Sequence, residues 1–327
     1  MQWFISHQSA LEYWRHALAP YALAKTKLRI KKLPDTTRGT KELWAADSLS
    51  LSKPLHILVG SDNARKTTRT LRCHISTGVF PSGSFLRATP NLVVSSPELC
   101  FMQMASELPF VALIALGYEL CGGYRLDRDT ETEQGFRNDI ALSSVAKLKT
   151  YAENTPKLKG RKTALRALQH ITDGSASPME TILCMLLTLP YRLGGYGFPL
   201  PQLNHCVTVS ASLGTNARAA QKAKLYCDLF WPSHRVDIEY DSDAYHTGSD
   251  RIAKDAIRRN ALSSAGITVL TVSRLQIVRT DELYKVAEIL CRLLDRRLKC
   301  PMPEFATHHE ALHKQLLATI SSLTNCT

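Results

Sequence analysis

Apolar and polar positions alternate most clearly between Leu225 and Val272, and their spacing changes along this stretch. Residues 225–230 and 235–241 are rich in aliphatic and aromatic side chains and flank a Trp-Pro-Ser-His turn signal at 231–234. Two short runs of this kind around a turn are typical of a β-hairpin. The pattern therefore predicts strand, turn, strand, and then a helix and a further strand.

Acidic residues fall on one face of the predicted hairpin. Strand side chains alternate with a period of two, so Asp237, Glu239 and Asp241 share a face. A turn centred on 232–233 would place Asp228 opposite Asp237 and diagonal to Glu239. Carboxylates this close repel one another unless a proton or a hard divalent cation such as Mg²⁺ offsets them. The alternative at this point is a solvated acidic face on a hairpin whose other face is buried.

The next segment predicts a helix and then a strand. Ser249 is a suitable N-cap for a helix over 250–264, on which Lys254 and Arg258 fall on one face. The apolar run 267–272 then predicts a buried strand. The basic side chains on this helix follow the acidic strand closely in sequence.

Another helix is predicted to begin at Ser177. Ser177 and Glu180 have the spacing of a capping box, with Pro178 at the first helical position. Glu180 therefore has a structural interpretation as a capping residue. A functional interpretation, as an acid directed toward the carboxylates of the hairpin, stays open beside it.

The first half of the chain shows a different order of elements. Strands are predicted over 55–59, 71–76 and 85–94, followed by a helix that begins after Ser96. A short amphipathic helix near the start leaves His7 as a surface residue by default. No residue in this half is predicted to carry catalysis.

Composition and charge narrow the class of protein. The chain has 327 residues, 44% of them apolar, and a net charge of +12. That charge favours a polyanionic partner, nucleic acid and DNA in particular. No apolar run reaches the roughly 20 residues that span a bilayer, and no signal peptide is evident, so a cytoplasmic protein with no membrane partner is expected. The nine cysteines form no C-x-x-C pair and predict reduced, mostly buried thiols.

The chain is long enough for two domains of mixed α+β structure, and shifts in composition place the boundaries. A basic stretch between the halves holds Lys159, Arg161 and Lys162, which are candidates for phosphate contacts. The predicted divisions are an N-terminal α+β domain at 1–150, a basic linker at 151–176, a nuclease-like domain at 177–300 and a C-terminal helix at 301–327.

The order of Asp228, Glu239-x-Asp241, His246, Arg258 and Gly266 resembles the very-short-patch-repair-like branch of the PD-(D/E)XK nuclease superfamily. The resemblance covers about 177–298. It implies a restriction-endonuclease-like mixed sheet flanked by helices and a metal-dependent phosphodiesterase ancestry. The chain departs from the superfamily motif in having Asp241 where a lysine is expected.

The resemblance and the residue chemistry together predict an endonuclease that uses Mg²⁺ or Mn²⁺. Asp228 and Glu239 are expected to hold the metal, with Asp241 as a further ligand or water-positioning group. The resemblance gives His246 the position of a proton acceptor and Glu180 that of an acid on the first helix. Lys254 and Arg258 would stabilise charge on the phosphate, or else form a surface ladder with Asp250.

The strands and the helix after Ser96 resemble the C-terminal part of AbiEi-type antitoxin and regulator proteins. Two other functions remain as alternatives to the nuclease. The chain is alternatively a catalytically inactive nucleic-acid-binding protein that keeps the nuclease fold, or an antitoxin-like regulatory protein. Metal binding separates the first alternative from the nuclease, and a protective phenotype would identify the second. A protein partner or a homodimer is compatible with all three, and bacterial defence is the setting that the resemblance implies.

Overall fold

The computed structural model describes most of the chain, in two compact units. The first unit contains Met1–Leu120 and Ala141–Gln169, the second contains His170–Thr327, and the short segments between 121 and 140 are divided between them. His246 lies outside the described residues. The described residues are 2–16, 27–28, 30, 33–35, 51–126, 135–211, 221–241, 249–298 and 303–324.

The first unit is built around one mixed sheet. Its strands run in the order β2-β5-β6-β1-β3-β4, with β1 parallel to β6 and β3 parallel to β4. The strands are β1 (Trp3–Ile5), β2 (Lys27–Leu28), β3 (Leu55–Val59), β4 (Leu71–Ile75), β5 (Phe85–Thr89) and β6 (Leu92–Ser95). The helices are α1 (His7–His16), α2 (Pro97–Met104), α3 (Phe110–Cys121), α4 (Val145–Glu153) and α5 (Arg161–Ala167).

Most elements of this unit follow from local signals in the sequence. Ser96 caps α2 by accepting a hydrogen bond from the Leu99 N–H (3.2 Å), with Pro97 at the first helical position, as predicted. The strands predicted from β-branched and aromatic runs are confirmed as β3, β4, β5 and β6. The predicted surface position of His7 is wrong, because its side chain is buried at the start of α1.

Part of the predicted basic linker at 151–176 is helical. Residues 145–153 and 161–167 form α4 and α5, and both helices pack on α2 within the first unit. Gly160 joins them in the left-handed region (φ 87°), and a Cβ there would lie 2.7 Å from the Met102 carbonyl oxygen. Only glycine tolerates both that φ and that contact, so the turn can pack closely on α2. The boundary between the units falls near residue 170.

The second unit contains a four-stranded mixed sheet flanked by helices. Its strand order is β12-β11-β10-β9, antiparallel except for β11 and β12, which are parallel. Between residues 121 and 140, where segments belong to either unit, the chain forms the short strands β7 (Tyr124–Leu126) and β8 (Phe136–Asn138). The elements of the unit are α6 (Pro178–Thr188), β9 (Gln202–Ala211), β10 (Gln221–Trp231), β11 (Val236–Asp241), α7 (Ser249–Ser264), β12 (Thr268–Ser273), α8 (Arg274–Val278), α9 (Thr280–Leu293) and α10 (Pro303–Thr324).

The register of the β10–β11 hairpin differs from the prediction. Leu229 pairs with Ile238 and Phe230 with Asp237, whereas Asp228 was expected opposite Asp237. The loop spans four residues, 232–235, because Arg235 adopts a left-handed conformation (φ 53°) instead of joining the strand. The Arg235 carbonyl accepts a hydrogen bond from the Thr268 N–H (2.8 Å), which holds this residue in the loop. The loop therefore lies one residue later than the predicted turn at 231–234, and this shift brings Glu239, and not Asp237, opposite Asp228 when the register is continued.

No helix among the described residues is long and apolar enough to cross a bilayer. The described cysteines are free thiols, and all of them except Cys206 are buried. The prediction of reduced, mostly buried cysteines is confirmed for this part of the chain.

Candidate functional site

Asp228 lies where strand β10 loses its regular alternation. Cys227 and Phe230 pack in one cluster with Leu262 of α7, although residues three apart on a regular strand face opposite sides. The pairing with β9 also passes directly from Cys227 to Leu229, with no pair at Asp228. The Asp228 Oδ2 accepts a hydrogen bond from the Tyr240 N–H (2.9 Å), in place of a backbone acceptor on β10. Irregularities of this kind re-aim a side chain and are frequent beside functional sites.

Glu239 is held against helix α7. Its Oε2 lies 2.7 Å from Nη1 of Arg258, and the Arg258 Nη2 donates to the Tyr226 carbonyl oxygen. The Glu239 side chain is 14% exposed and the Arg258 side chain 34%. Arg258 therefore faces the acidic strand and bridges it to β10.

Asp237 is fully buried on the same strand. Neither of its carboxylate oxygens accepts a hydrogen bond at normal geometry from the described residues. Burial raises the pKa of Asp237 well above its usual range, and the neighbouring Glu239 carboxylate raises it further. This part of the acidic face is thus enclosed, and the alternative of a solvated acidic face is wrong here. Arg258 offsets the charge of Glu239, so a proton or a further cation has to offset that of Asp237.

Glu180 interacts both with the start of helix α6 and with Asp228. Ser177 caps helix α6 by accepting a hydrogen bond from the Glu180 N–H (3.2 Å), and its hydroxyl donates to the Glu180 Oε1 (3.0 Å). The Glu180 Oε2 accepts hydrogen bonds from the Ala176 N–H (2.9 Å) and from Nδ2 of Asn204 (2.8 Å). Burial, and then the charge of Asp228, raise the pKa of Glu180 to about 7. The prediction that Ser177 caps the helix is confirmed, but the Glu180 carboxylate accepts from the Ala176 N–H and not from the Ser177 N–H, so the reciprocal half of a capping box is not formed. The carboxyl group also interacts with Asp228.

The carboxyl groups from α6, β10 and β11 form one electrostatic cluster. Burial raises the pKa of Asp228, while the Tyr240 N–H and Arg258 lower it. The charge of Asp228 in turn raises the pKa values of Glu180 and Asp237. Each group therefore disfavours the ionised form of another, and a divalent cation would relieve this repulsion.

The buried oxygens of Asp237 accept no hydrogen bond of normal geometry from the described residues, although the Cys227 thiol and the Glu239 carboxyl lie beside them. A proton or a cation would satisfy these oxygens. Mg²⁺ takes carboxylate oxygens and is commonly held by one or two carboxylates together with water. Among the described residues, the only group of three possible ligands whose atoms all lie within 4.8 Å of one another is His7, His74 and Glu107. No three carboxylates of the cluster are therefore this close together. Asp241 ends β11 as an exposed residue. Asp228 and Glu239 would hold the ion, and binding would draw them together.

The basic residues that were predicted to contact phosphate lie partly in the first unit and partly in the second. Lys254 belongs to α7, but its side chain lies outside the described residues, as does His246. Lys159 and Lys162 are exposed in the first unit. Arg161 is half-buried, and its Nε donates to the Ala152 carbonyl oxygen (2.9 Å), a contact that fixes the turn between α4 and α5. Lys159 and Lys162 are therefore better placed than Arg161 to meet a phosphate.

Two members of the cluster were not predicted as site residues. Asp237 was expected to matter little because it lies nearer the turn, and Asn204 was not considered. Asn204 has a left-handed backbone (φ 46°) and donates to both Glu180 and the Gly174 carbonyl oxygen (2.9 Å). An aspartate between Val236 and Ile238 has the alternating pattern of a half-exposed strand, so no local signal indicated that Asp237 is buried.

Glu180→Gln is expected to flatten the pH dependence of stability. The folded-state pKa of about 7 lies above the ordinary value of 4.5, so the neutral carboxyl stabilises the fold fully below about pH 4.5, and this stabilisation is lost as the pH rises toward 7. The shift corresponds to about 3 kcal/mol at most. Glutamine keeps the acceptor oxygen but does not ionise. Urea unfolding at about pH 5 and about pH 8 measures the difference.

The control for this prediction is Glu310→Gln, which alters an exposed carboxyl on α10. It should retain the wild-type decline in the free energy of unfolding between the two pH values. A decline of equal size in Glu180→Gln and in the wild type would show that another group causes it.

Comparisons with protein-family models, with curated proteins and with solved structures found no match for this chain. The resemblances to the very-short-patch-repair-like nucleases and to the AbiEi-type regulators therefore stay predictions from the sequence.

Proposed function

We propose that the second unit is a metal-dependent endonuclease with its centre at Asp228, Glu239 and Glu180. The observation that carries this proposal is the cluster of carboxyl groups from α6, β10 and β11, in which the charge of Asp228 raises the pKa of Glu180 to about 7. Repelling carboxylates at an irregularity in a strand are costly for stability. Strongly perturbed carboxyl groups of this kind are characteristic of functional sites.

The architecture of the second unit supports the same proposal. Helix α6 precedes the antiparallel strands β9, β10 and β11, and α7 then leads to β12 parallel to β11. This mixed sheet flanked by helices agrees with what the resemblance to the PD-(D/E)XK superfamily implies. The acids lie on neighbouring strands and on the preceding helix, so that their positions are fixed by regular elements.

The side chains have distinct tasks in this proposal. The Tyr240 N–H orients Asp228, and Arg258 orients Glu239. Because its pKa is about 7, Glu180 is present in both the protonated and the ionised form at physiological pH, so it is suited to accept or donate a proton. Arg258 places a positive charge beside the carboxylates, where it would stabilise a phosphate. Bound Mg²⁺ or Mn²⁺ would lower the pKa of its water and offset negative charge on the phosphodiester.

The net charge of +12 supports a nucleic acid as the substrate. Lys159 and Lys162 are exposed and available for phosphate contacts, which would add to affinity in a salt-dependent manner. DNA is the substrate that the resemblance favours.

A catalytically inactive nucleic-acid-binding protein is the second candidate. Two observations favour it: Arg258 already neutralises Glu239 at 2.7 Å, and Asp241 stands where the superfamily motif has lysine. In that case Arg258, and not a metal ion, is the permanent partner of Glu239, and the protein binds nucleic acid without cleaving it.

The purified full-length protein should cleave supercoiled plasmid DNA with Mg²⁺ or Mn²⁺ and stop cleaving when EDTA is added. Single-stranded DNA and RNA serve as parallel substrates, because they identify the nucleic acid that is cut. Tight binding of all three with no cleavage under any metal would favour the inactive binding protein. Cleavage that persists in EDTA would contradict metal dependence.

A further inference from the structure

Three histidines and a glutamate meet in the first unit, whereas the carboxyl cluster belongs to the second unit. His7 begins α1, His56 lies on β3, His74 lies on β4, and Glu107 follows α2. Ligand atoms of His7, His74 and Glu107 all lie within 4.8 Å of one another. None of these residues was predicted to have a function from the sequence.

The backbone of His7 is held in an uncommon conformation. Its φ is 48°, a value that costs energy for a residue other than glycine. The His7 N–H donates to Oε1 of Gln103 (2.9 Å), and the His7 carbonyl accepts from the Cys100 thiol (3.7 Å). Both hydrogen bonds come from α2, so this helix fixes the position from which the His7 ring projects. The strained, anchored backbone orients a ring before any ligand arrives.

The ring of His74 has a partner on each side. Its Nε2 lies 3.1 Å from Nδ1 of His56, and its Nδ1 lies 3.7 Å from Oε1 of Glu107. If the Nε2 proton of His74 is donated to His56, the lone pair on Nδ1 faces a carboxylate oxygen. In that tautomer a proton or a metal ion has to lie between the two acceptors for the contact to be favourable. Metal-binding histidines commonly use their second ring nitrogen in such a hydrogen bond.

The imidazole rings of His7 and His74 are neutral, which is the form of histidine that binds metals. Burial, followed by the positive charges of neighbouring groups, lowers the pKa of His7 to about 2 and that of His74 to about 4. Neutral imidazole is the ligand form of histidine. Arg72 and Lys159 are among these positive neighbours and oppose any added cation, so that the negative charge of Glu107 has to offset them.

We infer that His7, His74 and Glu107 form a site for a transition-metal ion of the zinc class, with His56 as the outer partner of His74. Two imidazoles and a carboxylate are a ligand set that Zn²⁺ takes, with a fourth position open to water. The rings of His7 and His74 are stacked, with centroids 3.5 Å apart. The nitrogen lone pairs of an imidazole lie in the plane of the ring, so those of two stacked rings cannot point at the same ion. One of the two rings therefore has to rotate when the ion binds.

The test is a titration of the full-length, metal-free protein with Co²⁺, followed by visible absorption and by displacement with Zn²⁺. The wild type is expected to bind one ion at this site with nitrogen and oxygen ligands. Charge-transfer absorption from thiolate sulfur would instead indicate binding at a cysteine and would count against this assignment. A thermal melt of each variant confirms that it folds.

His74→Gln and Glu107→Gln are expected to weaken binding by at least the roughly 10–100-fold that the loss of an outer partner costs, and His56→Asn by about that amount. The matched control is His308→Gln, which changes an exposed histidine on α10 and should bind as the wild type does. Glu107→Gln keeps the size of the side chain, so it remains informative if His74→Gln does not fold.

Equal Co²⁺ affinity in the wild type, His74→Gln and Glu107→Gln would overturn the site, as would a wild type that does not bind. The latter result is expected if His56, His74 and Glu107 form a metal-free chain of hydrogen bonds. Asp228→Asn should keep the part of the Co²⁺ signal that His74→Gln and Glu107→Gln remove. Loss of the signal in that variant would place the ion at the carboxyl cluster, which would contradict this inference but not the proposed nuclease.

Discussion

Glu239→Gln is expected to lower the rate of metal-dependent cleavage by about 10²–10⁴, because several kcal/mol of charge stabilisation depend on a metal held by this side chain. The affinity for nucleic acid should stay equal or rise. The substitution removes a negative charge that a phosphate has to approach, and it releases Arg258 from its ion pair at 2.7 Å. Cleavage kinetics and equilibrium binding, measured on the same DNA, separate the two effects.

The matched control is Glu282→Gln. Glu282 forms an ion pair with Lys285 at 2.7 Å on helix α9, so the control also removes a glutamate from an ion pair. It should leave both cleavage and binding unchanged. A loss of cleavage in Glu239→Gln that parallels an equal loss of DNA affinity would show that Glu239 supports binding and not the reaction.

Arg258→Met is expected to destabilise the second unit and to strengthen Mg²⁺ binding. Glu239 is 14% exposed, and the variant loses the guanidinium that lies 2.7 Å from its carboxylate. We expect the free energy of unfolding to fall by about 1–3 kcal/mol in the absence of metal, between the values for exposed and buried ion pairs. Added Mg²⁺ should restore more stability in the variant than in the wild type. Urea unfolding with and without Mg²⁺ measures both quantities.

Arg279→Met provides the comparison for this prediction. Arg279 pairs with Asp281 at 2.8 Å, but both side chains are more than half exposed, so the loss of stability should be much smaller than in Arg258→Met. The double variant Arg258→Met with Glu239→Gln should recover much of the lost stability, since no charge is left without its partner. Equal losses in the single and double variants would show that Arg258 stabilises the fold through packing and its contact with the Tyr226 carbonyl.

Local signals were sufficient to predict the elements that position the site. The Ser177-Pro178 start of α6, the two strands around the 231–234 turn and the helix after Ser249 all depend on residues close together in sequence. The capping of α6 by Ser177 was predictable for the same reason. Strand alternation placed Glu239 on the acidic side of β11, where the structure has it paired with Arg258.

The details that decide the chemistry depend on contacts distant in sequence. The hairpin register follows from the hydrogen bond between the Arg235 carbonyl and Thr268, a partner beyond helix α7. The burial of Asp237 follows from the packing of α7 on the sheet, where Phe230 and Leu262 lie in one cluster. His7 was assigned to the surface because its partners, His56, His74 and Gln103, come from three other elements. None of these contacts has a local sequence signature.

The most direct test of the central claim is the effect of Mg²⁺ on the melting temperature of the wild type and of Asp228→Asn. A cation bound by the carboxyl cluster of the folded state stabilises that state by mass action, by about 2.7 kcal/mol at one hundred times the dissociation constant. Asparagine keeps the oxygen that accepts from the Tyr240 N–H but removes the charge. The account predicts that Mg²⁺ raises the melting temperature of the wild type and not that of Asp228→Asn. An unchanged wild-type melting temperature across the millimolar range, or an equal rise in both proteins, would contradict it.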